Sequence, residues 1–136
     1  MVKINVAYEG KLHCRLTHGP SGKEATTDAP KDNMGKGESF SPTDLVAAAL
    51  GSCMLTTMGI FAQRHGIDLV GAQAEVIKEM IQEPTRRIGK LITVIKMPKG
   101  IDTKQREVLE RVALTCPVHK SIHPEIEAPV NFQYPD

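Results

Sequence analysis

Val2, Ile4, Val6 and Tyr8 alternate with Lys3, Asn5 and Ala7, the period-two pattern of a strand with one buried face. Gly10-Lys11 marks a turn, residues 12–17 a return strand, His18-Gly-Pro-Ser-Gly a second turn, and residues 23–27 a third strand. Together these predict an antiparallel meander. Residues 28–41, DAPKDNMGKGESFS, carry no period and read as a loop. The GKGES fragment lacks the G-x-x-x-x-G-K-[ST] spacing of a phosphate-binding loop and is not read as one.

The clearest element follows. Ser41 suits a helix cap, Pro42 the first helical position, and Asp44 the third, a variant of the capping box. The helix is predicted from Pro42 to about Arg64, ending near Gly66. Residues 45–61 are an uncharged run of 17, interrupted by Gly51, Ser52, Thr56, Thr57 and Gly59. That is marginal for a membrane span and suits a buried helix better. Because the helix is apolar nearly all round, it needs cover on most sides. One small domain struggles to provide that cover, so a second subunit is expected. Residues 69–81 and 88–97 flank the turn Gln82-Glu-Pro-Thr-Arg; LITVI is strongly strand-like, and pairing favours a strand for the first arm, although AEVIKEM also suits a helix. Asp102-x-x-Gln105 opens another helix with Val108, Leu109 and Val112 as its apolar stripe. Pro117 forces a kink or restart, Pro124 ends the helical pattern, and residues 130–134 read as a closing edge strand. The fold class is α+β: an antiparallel sheet packed on two principal helices, in one domain over residues 1–136.

Composition narrows the picture. Hydrophobic residues make up 40% of the chain but aromatic ones only 4%, so the core must be aliphatic. With 17 basic and 16 acidic residues the net charge is +1, too small a field to recruit nucleic acid or a membrane surface. MVKINVAYEG has no apolar signal-peptide segment, which points to the cytoplasm. Cys14, Cys53 and Cys116 form no disulfide framework.

The thiols carry the candidate chemistry. Cys53 lies about three turns into its helix, where apolar neighbours would raise its pKa and leave it inert unless a cation or polar partner is close. Cys116 precedes Pro117 and would cap a short helix over residues 117–122; free backbone N–H groups there favour a thiolate, so local sequence makes Cys116 the more acidic thiol. The plain alternative is that each packs as a small hydrophobe, and this is the better reading for Cys14, in its strand beside Arg15. Cys116-x-x-His119-x-x-x-His123 could ligate a metal with Cys53 as fourth ligand, but His123 sits at a helix end before Pro124, and no metal or other cofactor is expected. His119 is either a general base near the thiols or a surface residue.

SPTDLVAAALGSCM, followed far downstream by LTCPVHKSI, resembles the OsmC/Ohr family of osmotically inducible and organic hydroperoxide resistance proteins. Pro42 lies eleven residues before Cys53, and Cys116 is followed by Pro117 and Val118, as in that family's two motifs. The resemblance implies an intertwined homodimer with sites at the subunit interface. It implies that Cys53 attacks a hydroperoxide, preferably an organic one, and becomes a sulfenic acid. Cys116 then resolves it to a disulfide, and an external dithiol reductant resets the pair. An arginine from the N-terminal strands and a glutamate beside the helix-start proline support the thiolate in Ohr-type members. Here Thr43 follows Pro42, so Asp44 and Arg15 stand as the candidate supporters, with Glu38 as a further partner. The competing class is a binding protein that holds an apolar small molecule or lipid in the same cleft with its thiols silent.

Overall fold

The computed structural model describes residues 1–135 and falls into two compact units, Met1–Val46 and Ala47–Asp136. The first is the predicted meander: β1 (Ile4–Tyr8), β2 (His13–His18) and β3 (Glu24–Asp28), all antiparallel in that order. Val6 faces Leu16 across the first pair, and Arg15 lies between Ala7 and Thr26. The β1–β2 turn is built from Gly10, Lys11 and Leu12, all left-handed at φ 87°, 54° and 61°.

One expectation fails here. The alternation in β1 predicts a buried face, yet all five residues are exposed, with Ile4 at 58%, Val6 at 61% and Tyr8 at 67%. Within this unit only Thr27 and Ser41 are buried, so the meander has no hydrophobic core of its own. The pattern encodes an apolar face correctly, but its cover does not come from the unit itself. The loop after β3 contains a short helical turn, Lys31–Asn33, and folds back tightly. The Asp28 N–H donates to the Phe40 carbonyl at 3.0 Å, and a Cβ on Gly35 would stand 1.6 Å from the Ala29 carbonyl oxygen. Only glycine permits that approach.

Helix α1 (Pro42–Arg64) has the predicted bounds. Its start is a reciprocal cap: Ser41 Oγ accepts from the Asp44 N–H at 3.1 Å, and Asp44 Oδ2 accepts from the Ser41 N–H at 2.9 Å. The rest of α1 belongs to the second unit, with β4 (Gln73–Ile81), β5 (Arg87–Lys96), α2 (Thr103–Ala113), α3 (Pro117–Ser121) and β6 (Val130–Gln133). The first arm of the hairpin is a strand, though residues 69–72 form the turn before it. β4 and β5 are antiparallel, while β6 joins β5 in parallel, so this sheet is mixed.

The core sits in this unit and is aliphatic. Leu50, Met54 and Met58 of α1, Leu91 and Ile95 of β5, and Leu109 of α2 have no exposed surface. On the sheet face, Ala74, Val76 and Lys78 lie opposite Ile95, Thr93 and Leu91. Gly51 brings α1 close to this face, because a Cβ there would be 3.0 Å from Val76 Cγ2. Asp102 caps α2 by accepting from the Gln105 N–H at 2.9 Å. Pro117 restarts the chain as α3, as its missing N–H and fixed φ dictate.

The long helix is enclosed less than its composition predicts. Ala48, Ala49, Ser52, Thr56, Ile60 and Gln63 are exposed, and a third of its most apolar window is buried. By length and composition alone α1 could cross a bilayer. Its inner side, however, supplies the core and its outer side carries Ser52, Thr56 and Gln63, the pattern of a core helix.

Candidate active site

Two elements of the second unit bring thiols together. Cys53 projects from the middle of α1 and is half-buried; Cys116 is fully buried at the cap of α3. The Cys53 thiol lies near enough to Cys116 to raise its pKa, although 63 residues separate them. Both are reduced. Thr57, one turn after Cys53, places Oγ1 4.0 Å from its sulfur. Sequence reasoning passed over Thr57, but the i, i+4 spacing was available to find it. The His119 N–H donates to Cys116 Sγ at 3.2 Å.

Cys116 is not the acidic thiol that its position suggests. Burial pushes its pKa above the ordinary 9.0 and outweighs the backbone N–H of His119, which pulls it down. The neighbouring Cys53 thiol pushes it further up, and the Val118 N–H opposes. The reading from capping alone therefore failed: two N–H groups of a one-turn helix do not offset the loss of water around the sulfur. Cys116 is a protonated thiol at neutral pH.

The candidate supporters lie in the first unit. Arg15, half-exposed on β2, reaches Glu9 and Glu24, each at 3.6 Å. Asp44 caps α1 and, with Glu38, lines an open cavity of about 390 Å³. Glu38 also borders a smaller cavity of about 220 Å³ where His13 Nδ1 meets Asp28 at 2.7 Å. Cys14 is partly buried on β2 between Tyr8 and Thr27. Among the described residues no three His, Cys, Asp or Glu side chains gather as metal ligands; His123 is exposed and accepts from the Glu125 N–H at 3.0 Å.

A helix-borne thiol near a second, buried thiol on an α+β frame is the candidate site. The sequence matches the OsmC-like protein family over residues 35–131, and the chain belongs to that family. A structure from Psychrobacter arcticus, described as an osmotic stress induced and detoxification response protein, shares 46% identity at a TM-score of 0.92, covering 98% of this chain and 96% of that one. OhrB of Bacillus subtilis, an organic hydroperoxide resistance protein, has the same fold at 16% identity and TM-score 0.70, with 98% of each chain covered. The OsmC organic hydroperoxide resistance protein of Legionella pneumophila shares the fold at 16% identity and TM-score 0.75, covering 98% of this chain and 96% of that one. No curated protein matches the sequence.

Proposed function

We propose that the protein is a cytoplasmic, homodimeric, thiol-dependent peroxidase that reduces organic hydroperoxides. The single observation that supports this reading is the proximity of the Cys53 and Cys116 thiols, close enough for Cys53 to raise the pKa of Cys116 in a partly buried site. Cys53 is the more accessible of the two and attacks the terminal peroxide oxygen. The O–O bond breaks, an alcohol leaves, and a sulfenic acid remains on Cys53. Cys116 then displaces water to give the disulfide, and a dithiol returns both sulfurs to thiols. A resolving thiol already in place protects the sulfenic acid from over-oxidation. Arg15 and Asp44 are the proposed supporters of the Cys53 thiolate. The hydroperoxide resistance and detoxification descriptions of the fold's relatives agree with this chemistry. The homodimer is supported by the uncovered apolar face of β1 and the exposed outer side of α1.

The test is consumption of cumene hydroperoxide driven by dithiothreitol. Wild type should turn over; Cys53→Ser should lose activity outright. Cys116→Ser should form one sulfenic acid and then stall with monothiol-sensitive kinetics. Intact mass after one equivalent of peroxide should show the loss of two hydrogens in wild type. A protein that stays reduced sinks the reading.

One observation favours a second reading, the binding of an apolar small molecule or lipid without turnover. A cavity of about 500 Å³ opens beside the C-terminal half of α1, lined by Leu55, Ala62, Ile67, Leu69 and Val70 among others. Saturable uptake of a fluorescent fatty acid by protein inert to peroxide would favour it.

A further inference from the structure

The peroxidase reading asks what readies a half-buried thiol in the middle of an apolar helix. A thiol becomes a nucleophile by losing its proton, and burial opposes the charge that results. Arg15 and Asp44 belong to the first unit. The helix that carries Cys53 offers a different kind of support, a hydroxyl one turn further on.

Thr57 Oγ1 stands 4.0 Å from Cys53 Sγ. A threonine inside a helix ordinarily turns its hydroxyl back to the carbonyl three or four residues before it. Two hydroxyls near other helix ends of this chain do so. Thr115 Oγ1 donates to the Val112 carbonyl and Ser121 Oγ to the Pro117 carbonyl, both at 2.7 Å. Thr57 does not. Among the described residues the Cys53 sulfur is the one hydrogen-bond partner of the Thr57 hydroxyl, and that hydroxyl is the one oxygen or nitrogen group bonded to the sulfur. Thr57 is itself half-buried, which limits competition from water.

We propose that Thr57 donates a hydrogen bond to the Cys53 thiolate and so holds the nucleophile in its reactive form. While Cys53 is a thiol, either group can donate and the contact is loose. Once the sulfur is ionised, only the hydroxyl has a proton to offer. Hydrogen bonds to a charged acceptor are shorter and about twice as strong as neutral ones, so the pair tightens on ionisation. A bond that strengthens in the anion favours the anion. Thr57 keeps its proton throughout, so the chemistry of the thiols is unchanged. The catalytic use of this donor rests on the peroxidase reading; the donor itself does not.

The experiment reads Cys53 first without peroxide. Reduced protein is alkylated with iodoacetamide from neutral to strongly alkaline pH, and peptide mass spectrometry follows Cys53 alone. Thr57→Val keeps the branched shape and removes the hydroxyl; Thr57→Ala is the second variant should valine fail to fold. At neutral pH either variant should alkylate about tenfold more slowly, the scale of a lost hydrogen bond to a charged group. The alkaline plateau should stay at or slightly above that of wild type, since a more basic thiolate is the better nucleophile. Altered packing would move the plateau as well as the midpoint. Thr57→Ser returns the hydroxyl and should recover most of the neutral-pH rate. With cumene hydroperoxide, dimedone trapping should show sulfenic acid forming at neutral pH more slowly in Thr57→Val by the same factor. A variant profile that superimposes on that of wild type overturns the donor and leaves the peroxidase reading standing. A shifted profile together with wild-type protein that forms no sulfenic acid overturns the peroxidase reading and upholds the donor.

Discussion

At the scale of single residues, desolvation decides more than local position. Cys116 shows it for charge: the cap geometry is as its sequence predicts, but the zero exposure of the side chain reverses the expected acidity. A raised pKa means that the folded state holds this proton to higher pH than the unfolded chain. The stabilising contribution is therefore complete below about pH 9 and is lost as pH rises through the folded-state value. Urea denaturation of reduced protein between pH 8 and 10 should show stability falling, with a shallower fall in Cys116→Ala; identical slopes would refute it. Tyr134, raised by burial and by its hydrogen bond to Glu110, acts in the same direction at still higher pH. Thr93 shows desolvation for a neutral group. Its Oγ1 is buried on the core face of β5 with no hydrogen-bond partner among the described residues. Thr93→Val keeps the shape and removes the hydroxyl, so it should stabilise the fold by about 1 kcal/mol, read from the denaturation midpoint at unchanged m-value. A loss of 1 kcal/mol or more would mean that the hydroxyl has a partner. Neither effect was legible in the sequence, because both depend on which chain segments surround the atom.

At the scale of elements, helix and strand signals were read well where the information is local. Ser41-Pro42-x-Asp44 starts α1 where its capping chemistry requires, and Asp102-x-x-Gln105 does the same for α2. The first arm of the hairpin, ambiguous by pattern, is a strand because nine residues of β5 pair with it. The parallel docking of β6 could not be read, since a short strand's direction is set by where the preceding loop delivers it. Two glycines in α1 separate propensity from packing. Gly59 has open space where a Cβ would go, so Gly59→Ala should stabilise the unit by up to about 1 kcal/mol through helix propensity. Gly51 would place its Cβ 3.0 Å from the stiff Val76 side chain. Gly51→Ala should therefore gain less than Gly59→Ala, and Gly51→Leu should cost about 1–3 kcal/mol by overpacking. Thermal melts of the three variants give the ranking; equal gains at both glycines would contradict the close approach of α1 to β4.

At the scale of the whole molecule, the sequence announced more apolar surface than one small domain covers. An apolar helix too large for one domain and an alternating first strand both ask for cover, and the structure leaves Ala48, Ala49 and Ile60 of α1 and Val2, Ile4, Val6 and Tyr8 exposed. The proximity of Cys53 and Cys116 was legible only through the family resemblance, because no periodicity links positions 63 residues apart. If two copies supply each other's cover, sedimentation should show a dimer at micromolar concentration, and the melting temperature should climb with protein concentration. Val6→Lys should weaken the association, whereas Lys3→Glu on the alternate position should leave it intact. A concentration-independent monomer would leave the apolar strand unexplained.

That strand also lies at the rim of its sheet, with β2 its one paired strand among the described residues. In the proposed homodimer, a newly made chain would carry an adhesive ribbon until it meets its mate. Scarcity is a hazard for such a molecule: the fewer the copies, the longer each one travels with its sticky margin open to the wrong company.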